Sequence, residues 1–206
     1  MKALLVNGSP HANGCTYTAL NELKRTLEEN EIEVELIHVG RENIRGCIAC
    51  RRCHQIGKCV FDDVVNETAP KLAEADAFVI GAPVYFASPA GGAVSFLDRL
   101  FFSTLGVDKT MKVGAAVVTC RRGGNTASFD VLNKYFMMTG MPVASSQYWN
   151  MVYGGNSEEV KLDAEGLQTM RTLGRNMAFM MKSFQLGREK YGIPEKEAPI
   201  FTSFHR

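Results

Sequence analysis

Four of the six cysteines stand at Cys47, Cys50, Cys53 and Cys59, inside the stretch GCIACRRCHQIGKC. Zinc ribbons usually hold two C-x2-C pairs apart by roughly a dozen residues or more. Here three cysteines share one C-x2-C-x2-C run and the fourth follows closely. Such crowding suits a cubane [4Fe–4S] cluster, in which each iron takes one thiolate. A zinc site and a set of free or oxidised thiols are the other readings. Gly46 and Gly57 give the backbone freedom, and Arg51, Arg52 and Lys58 would offset the negative charge of four thiolates.

Three further segments carry unusual composition. The first, NGSPHANGCT (7–16), lacks both G-x-G-x-x-G and the Gly-Lys-Ser/Thr of a triphosphate loop. It offers hydroxyls at Ser9 and Thr16, glycines, and free backbone N–H groups just before a helix, which suits a terminal phosphate. His11, when protonated, would add a charge. The alternative is a plain polar turn that caps the helix. The second, GAPVYFASPAGG (81–92), sets Pro83, Val84, Tyr85 and Phe86 on a strand edge. This rigid aromatic surface suits a flat ring, or else packs in the core. The third, TCRRGGNT (119–126), has Gly123 and Gly124 for close backbone approach. Arg121 and Arg122 can face a phosphate, an acidic cosubstrate or solvent. Phosphate at one end and a flat heteroaromatic ring at the other is the shape of flavin mononucleotide (FMN).

The elements that must position these loops alternate. Apolar runs or alternating patterns at Ala3–Val6, 32–39, Ala77–Ile80, Val113–Val118 and Met141–Ser146 predict five strands. Helical spacing spans Thr16–Glu29, a segment capped by Asp62 and running to about Glu74, Pro89–Phe102, Phe129–Met138 and Ala164–Phe184. The alternation implies an α/β domain: a doubly wound, five-stranded parallel sheet with helices on both faces and right-handed crossovers. Ligands bind such sheets outside the carboxyl ends of the strands, where the three loops should meet. The cysteine run is an insertion, 46–61, between the second strand and the second helix. One domain, 1–187, is expected. The segment 188–206, with Pro194 and Pro199, is either a loose end or an arm on a partner subunit.

Composition narrows the class. Net charge is +1, so neither bulk nucleic acid nor a membrane surface is indicated as a partner. No apolar run reaches a membrane span, and Ala3–Val6 is too short for a signal peptide. A cytoplasmic protein is expected. Reducing surroundings then turn clustered cysteines away from structural disulfides and towards metal or redox chemistry.

G-S-P-x-x-x-G-x-T after the first strand, G-A-P-V-Y-F after the third and Arg-Arg-Gly-Gly after the fourth resemble the flavodoxin-like NAD(P)H-dependent FMN reductase superfamily. The cysteine run is similar to that of the iron–sulfur flavoproteins within it. The resemblance covers most of residues 1 to 185. His11 stands where members often carry Arg, and Cys15 where they often carry Asn. The resemblance implies a flavodoxin-like strand order of 2-1-3-4-5. It implies Ser9, His11, Asn13, Gly14, Cys15 and Thr16 around the FMN phosphate, Pro83 to Phe86 along the isoalloxazine, and Thr119, Arg121, Gly123 and Gly124 near its other edge. It implies Cys47, Cys50, Cys53 and Cys59 as cluster ligands, with NAD(P)H or a ferredoxin-like carrier as electron donor and a small molecule or oxidant as acceptor. A cluster-free FMN, quinone or azo reductase and a redox- or metal-sensing module are the alternatives. It also implies a homodimer or homotetramer. Trp149 and Tyr153 then either line a pocket over the flavin or pack in a subunit interface. No side chain is expected to act as the main acid or base.

Overall fold

The computed structural model describes residues 1–198 and 200–202. Pro199, in the expected tail, lies outside the described residues, as do residues 203–206.

The chain opens with β1 (Lys2–Asn7), α1 (Cys15–Glu29) and β2 (Glu33–His38). The cysteine insertion contains a single short helix, α2 (Cys53–Ile56), and leads to α3 (Val64–Glu74). Then come β3 (Ala77–Tyr85), the two-residue β4 (Ser88–Pro89), α4 (Gly91–Ser103) and β5 (Val113–Cys120). The chain continues through α5 (Asn125–Met138), β6 (Met151–Tyr153), α6 (Ser157–Leu162) and α7 (Ala164–Tyr191).

The sheet runs β2-β1-β3-β5-β6, with all neighbours parallel, and β4 pairs antiparallel with β3. Leaving out β4, this is the expected 2-1-3-4-5 order. β1 shows why the strands read as continuous apolar runs. Ala3 and Leu5 face one helical layer, with Leu20, Leu23 and Leu27 of α1 and Met170, Leu173 and Met177 of α7. Leu4 and Val6 face the other, with Leu72 of α3, Phe96 and Leu97 of α4 and Phe136 of α5. A strand covered on both faces has no polar side to alternate.

Several boundaries differ from the sequence reading: β3 runs on from Ile80 to Tyr85, and α5 starts at Asn125 rather than Phe129. Asp63, not Asp62, is the α3 cap; its carboxylate accepts the Val65 N–H at 3.1 Å. The expected strand at Met141–Ser146 reduces to one bridge, Val143 opposite Gly114. The Pro142 carbonyl accepts the Gly114 N–H at 2.9 Å and Ala144 donates to the Gly114 carbonyl at 2.8 Å, after which the chain leaves the sheet and returns as Met151–Tyr153 beside Val118–Cys120. The last helix runs on past 184 and past the boundary read at 187, ending at Tyr191. No helix among the described residues is long and apolar enough to cross a membrane.

Candidate functional site

The first loop is shaped by one side chain. Asn7, at the end of β1, accepts the Ser9 N–H at 3.0 Å and donates to the Ala12 carbonyl at 3.2 Å. Ser9 Oγ accepts the His11 N–H at 3.2 Å, and the His38 ring nitrogen Nε2 pairs with the Ser9 carbonyl at 2.7 Å. The loop delivers the chain into α1 with Gly14 as N-cap and no side chain capping it. Among the described residues the N–H groups of Cys15, Thr16 and Tyr17 have no acceptor. Unmet amides at the positive end of a 15-residue helix form a cradle for an anion. The donor set therefore fits a phosphate.

Of the predicted loop residues, His11 and Asn13 are exposed, Gly14 and Cys15 half-buried, and Ser9 and Thr16 buried. Thr16 is placed differently from the expectation that its hydroxyl faces a phosphate. Its Oγ1 lies 2.9 Å from Thr119 Oγ1, and both residues are buried. What Thr16 presents to the cradle is its N–H. Cys15 donates its thiol to the Gly154 carbonyl at 3.5 Å, and burial pushes that thiol's pKa up.

The second loop is a hairpin. β3 runs to Tyr85, turns at Phe86 and Ala87, and returns with Val84 opposite Pro89 and Tyr85 opposite Ser88. Phe86 and Ala87 have φ of 50° and 58°. Positive φ at both central residues is the preferred two-residue hairpin turn, which Asn-Gly satisfies without strain. An L-residue there costs about 1–2 kcal/mol. Phe86 is wholly exposed and Tyr85 exposed, whereas Pro83 and Val84 are half-buried. Of the four predicted ring-facing residues, Pro83 and Val84 form a fixed wall, and Phe86 stands at the hairpin tip.

The third loop touches the second. Gly124 has φ of +87°, and a Cβ there would lie 2.6 Å from the Ala87 Cα. Only glycine permits both the conformation and the approach. Thr119 is buried, and Arg121 and Gly123 are exposed. Asn125, the first residue of α5, is buried and donates from Nδ2 to the Tyr153 hydroxyl. The Tyr153 N–H in turn donates to Asp163 at 2.7 Å. Tyr153 therefore joins the loop cluster. Trp149 does not share these neighbours. It lies 5.0 Å from Tyr148, ring to ring, and lines a cleft of about 410 Å³ with Phe129 and Met137 of α5. Asn125 escaped the sequence reading because a polar residue after Gly-Gly looks like an ordinary helix start.

All four clustered cysteines line one small cavity, walled by Ile48, Val60, Phe61 and Phe102. Their thiols are free; Cys47 and Cys50 are exposed, and Cys53 and Cys59 half-buried. Among the described residues no three His, Cys, Asp or Glu side chains converge on a single-ion position. Ala49 and Arg51 have φ of 52° and 55°, two strained left-handed residues within one thiol run. Alternating backbone of this kind turns N–H groups into an anion-binding nest. Cys53 donates to the Phe102 carbonyl at 3.9 Å, and burial pushes its pKa up.

Arg51 lines the cysteine cavity, but among the described residues none of the cations singled out from sequence hydrogen-bonds a thiol. Arg51 and Arg52 are exposed, Arg52 donates to Gln55 at 3.2 Å, and Lys58 sits 4.0 Å from Asp62. Arg99, whose side chain is fully buried, does hydrogen-bond one. Its Nε and Nη2 each lie 3.3 Å from Cys59 Sγ, and Nη1 and Nη2 grip Asp63 at 2.6 and 2.9 Å. Desolvation works against its charge, but the hydrogen bonds to Asp63 and Cys59 outweigh it and hold its pKa above the ordinary value. One sequence signal marks Arg99: a charge on the apolar face of α4, among Phe96, Leu97 and Leu100. α4 also joins the two regions. Ala90, which caps α4, donates to the Pro83 carbonyl at 3.0 Å. Arg99 follows eight residues after Gly91, or ~12 Å along the axis.

A family model for NADPH-dependent FMN reductase matches residues 1–155. An iron–sulfur flavoprotein of Methanocaldococcus jannaschii is 31% identical over 189 residues, covering 88% of this chain and 98% of that one. An iron–sulfur flavoprotein of Methanosarcina thermophila is 24% identical over 194 residues, covering 92% and 100%. Among solved structures, an archaeal flavodoxin superposes with a TM-score of 0.60 at 17% identity, covering 88% of this chain and 99% of that one, and shares the fold. The chain belongs to the NADPH-dependent FMN reductase family, in its iron–sulfur flavoprotein branch, and is an FMN-dependent oxidoreductase of flavodoxin-like fold.

Proposed function

We propose that this protein is an electron-transfer flavoprotein that exchanges electrons between FMN and a [4Fe–4S] cluster held in the same domain by Cys47, Cys50, Cys53 and Cys59. The observation that carries the reading is the shared cavity of those four free thiols. Left-handed Ala49 and Arg51 and the buried Arg99 support it, because strain and a buried cation within one loop cluster mark a site that binds negative charge. The names of the two archaeal relatives agree with it.

For FMN, the open amides of Cys15, Thr16 and Tyr17, with Ser9, His11, Asn13 and Gly14 around them, would take the phosphate. Pro83 and Val84, with Tyr85 and Phe86 beyond them, would lie along the isoalloxazine. Thr119, Arg121, Gly123 and Gly124 would bound its other edge, and Asn125 and Tyr153 are added to that rim. Bound FMN accepts electrons in pairs and passes them singly, and a cubane handles one at a time. The protein's own tasks are placement and tuning. The α1 N-terminus fixes the phosphate, Thr16 and Thr119 tie that helix to β5, and α4 sets the cysteine loop against the hairpin.

The donor would be NAD(P)H or a ferredoxin-like carrier, the acceptor a small molecule or oxidant, and the assembly a cytoplasmic homodimer or homotetramer. The reading treats 1–187 as one flavin-binding domain with 46–61 as its electron port. The test compares wild type with Cys50→Ser, both purified without oxygen. Loss of iron and of the reduced-cluster electron paramagnetic resonance signal in Cys50→Ser, with FMN retained, is expected. Equal iron in both would contradict the cysteine assignment.

A further inference from the structure

Arg99 uses two edges of its guanidinium for two different acceptors. The end edge, Nη1 and Nη2, forks onto the Asp63 carboxylate at 2.6 and 2.9 Å. The side edge, Nε and Nη2, converges on Cys59 Sγ at 3.3 Å from each nitrogen. Nη2 also donates to the Phe61 carbonyl at 3.2 Å, and the Phe61 ring stacks 5.1 Å from the guanidinium carbon. A buried Arg–Asp pair is complete without a third partner. A neutral thiol is a weak acceptor, and two charge-assisted donors aimed at one sulfur suit a thiolate or a metal-bound thiolate.

Cys59 is fixed in a second way. Asn66 accepts the Cys59 N–H at 2.9 Å and donates to the Cys59 carbonyl at 3.0 Å. Backbone and sulfur are thus both held by α3 and α4, which belong to the main fold. Cys47 and Cys50 sit on exposed backbone outside any helix or strand. The four thiols, all within the insertion, are therefore unequal: Cys59 is tied to α3 and α4, whereas Cys47 and Cys50 are exposed.

We propose that Arg99 is a positioning residue for the cluster reading given above: it anchors Cys59 Sγ as the fixed ligand and, through two N–H···S hydrogen bonds and its charge, raises the reduction potential of the group bound there. Donors to a ligand sulfur withdraw electron density and favour the reduced state. Asp63, on the far edge of the same guanidinium, acts in the opposite sense. The inference rests on the four cysteines holding the cluster.

The test uses anaerobically reconstituted holoprotein and reads iron per chain and the cluster midpoint potential. Arg99→Gln alone strands the Asp63 charge, so it is combined with Asp63→Asn and compared with Asp63→Asn. Asp63→Asn is expected to shift the potential upward from wild type. The paired variant is expected to lie below Asp63→Asn by at least tenfold in the one-electron equilibrium, or about 59 mV, and to retain less iron. Should the paired variant fail to fold, Arg99→Lys supplies the same reading. Lysine keeps the charge but lacks the planar fork, so iron is retained and the potential falls. An unchanged potential and iron content in whichever variant folds would show a purely structural arginine and overturn the role of Arg99 alone. Iron-free wild type after reconstitution would overturn the cluster reading and this inference together.

Discussion

The hydroxyls of Thr16 and Thr119 meet at 2.9 Å in the buried seam between the start of α1 and the end of β5. This bond ties the helix whose N-terminus is open for an anion to the strand that leads into the third loop. Thr119→Val strands the Thr16 hydroxyl and should cost about 1–3 kcal/mol. Thr16→Val with Thr119→Val should cost less than the two single changes added together, since each single change leaves one partner unpaired. Urea denaturation of the four proteins checks this; strict additivity would mean the hydroxyls are not coupled.

The phosphate cradle predicts a discrimination. Ser9→Ala removes the acceptor that holds the His11 N–H and opens the loop. FMN affinity should fall roughly tenfold, about 1.4 kcal/mol, while riboflavin affinity should stay the same. Fluorescence-quenching titrations with both ligands decide it. Equal losses for FMN and riboflavin would place the phosphate elsewhere.

The hairpin tip predicts a trade-off. Phe86→Asn with Ala87→Gly relieves two left-handed L-residues and should raise stability by about 1–2 kcal/mol. The same change removes the aromatic ring at the edge of the proposed flavin wall, so FMN affinity should fall as stability rises. A variant that gains stability with full FMN affinity would show that Phe86 does not touch the flavin.

Lys109 gives a pH dependence. It is buried at 3% exposure, and desolvation draws its pKa from 10.5 down to about 8. Between those values the unfolded chain holds the proton and the folded chain has released it. Stability therefore rises with pH across the window from about 8 to 10.5. Lys109→Met removes this contribution, so the wild-type minus variant stability difference should climb over that range. A flat difference would mean that Lys109 stays charged in the fold.

The parallel sheet and the loops at its carboxyl edge were legible because buried parallel strands write continuous apolar runs ended by Gly, Asn or Pro, as at Asn7-Gly8 and Gly81-Ala82-Pro83, whereas the strand order was implied only by the family resemblance. The edge strand was misplaced. Met141–Ser146 reads as a strand, but its pairing stops after Ala144 and the ladder resumes only at Met151. The clustering of the four cysteines was legible as spacing, but the cation that meets Cys59 was not. Arg51 and Arg52 are adjacent in sequence and exposed, whereas Arg99 reaches Cys59 from 40 residues away through the packing of α4 on α3. The hydroxyl partner of Thr16 was hidden for the same reason: Thr119 is 103 residues distant. Spacing reveals local donor sets, and only the fold brings in the partners from other elements.

The central claim, FMN and a cubane in one domain, is tested most directly by the anaerobic absorption spectrum of the purified protein with iron and flavin measured per chain. A brown protein with one FMN and about four irons per chain is expected. A yellow protein that binds FMN but holds no iron after anaerobic reconstitution would contradict it.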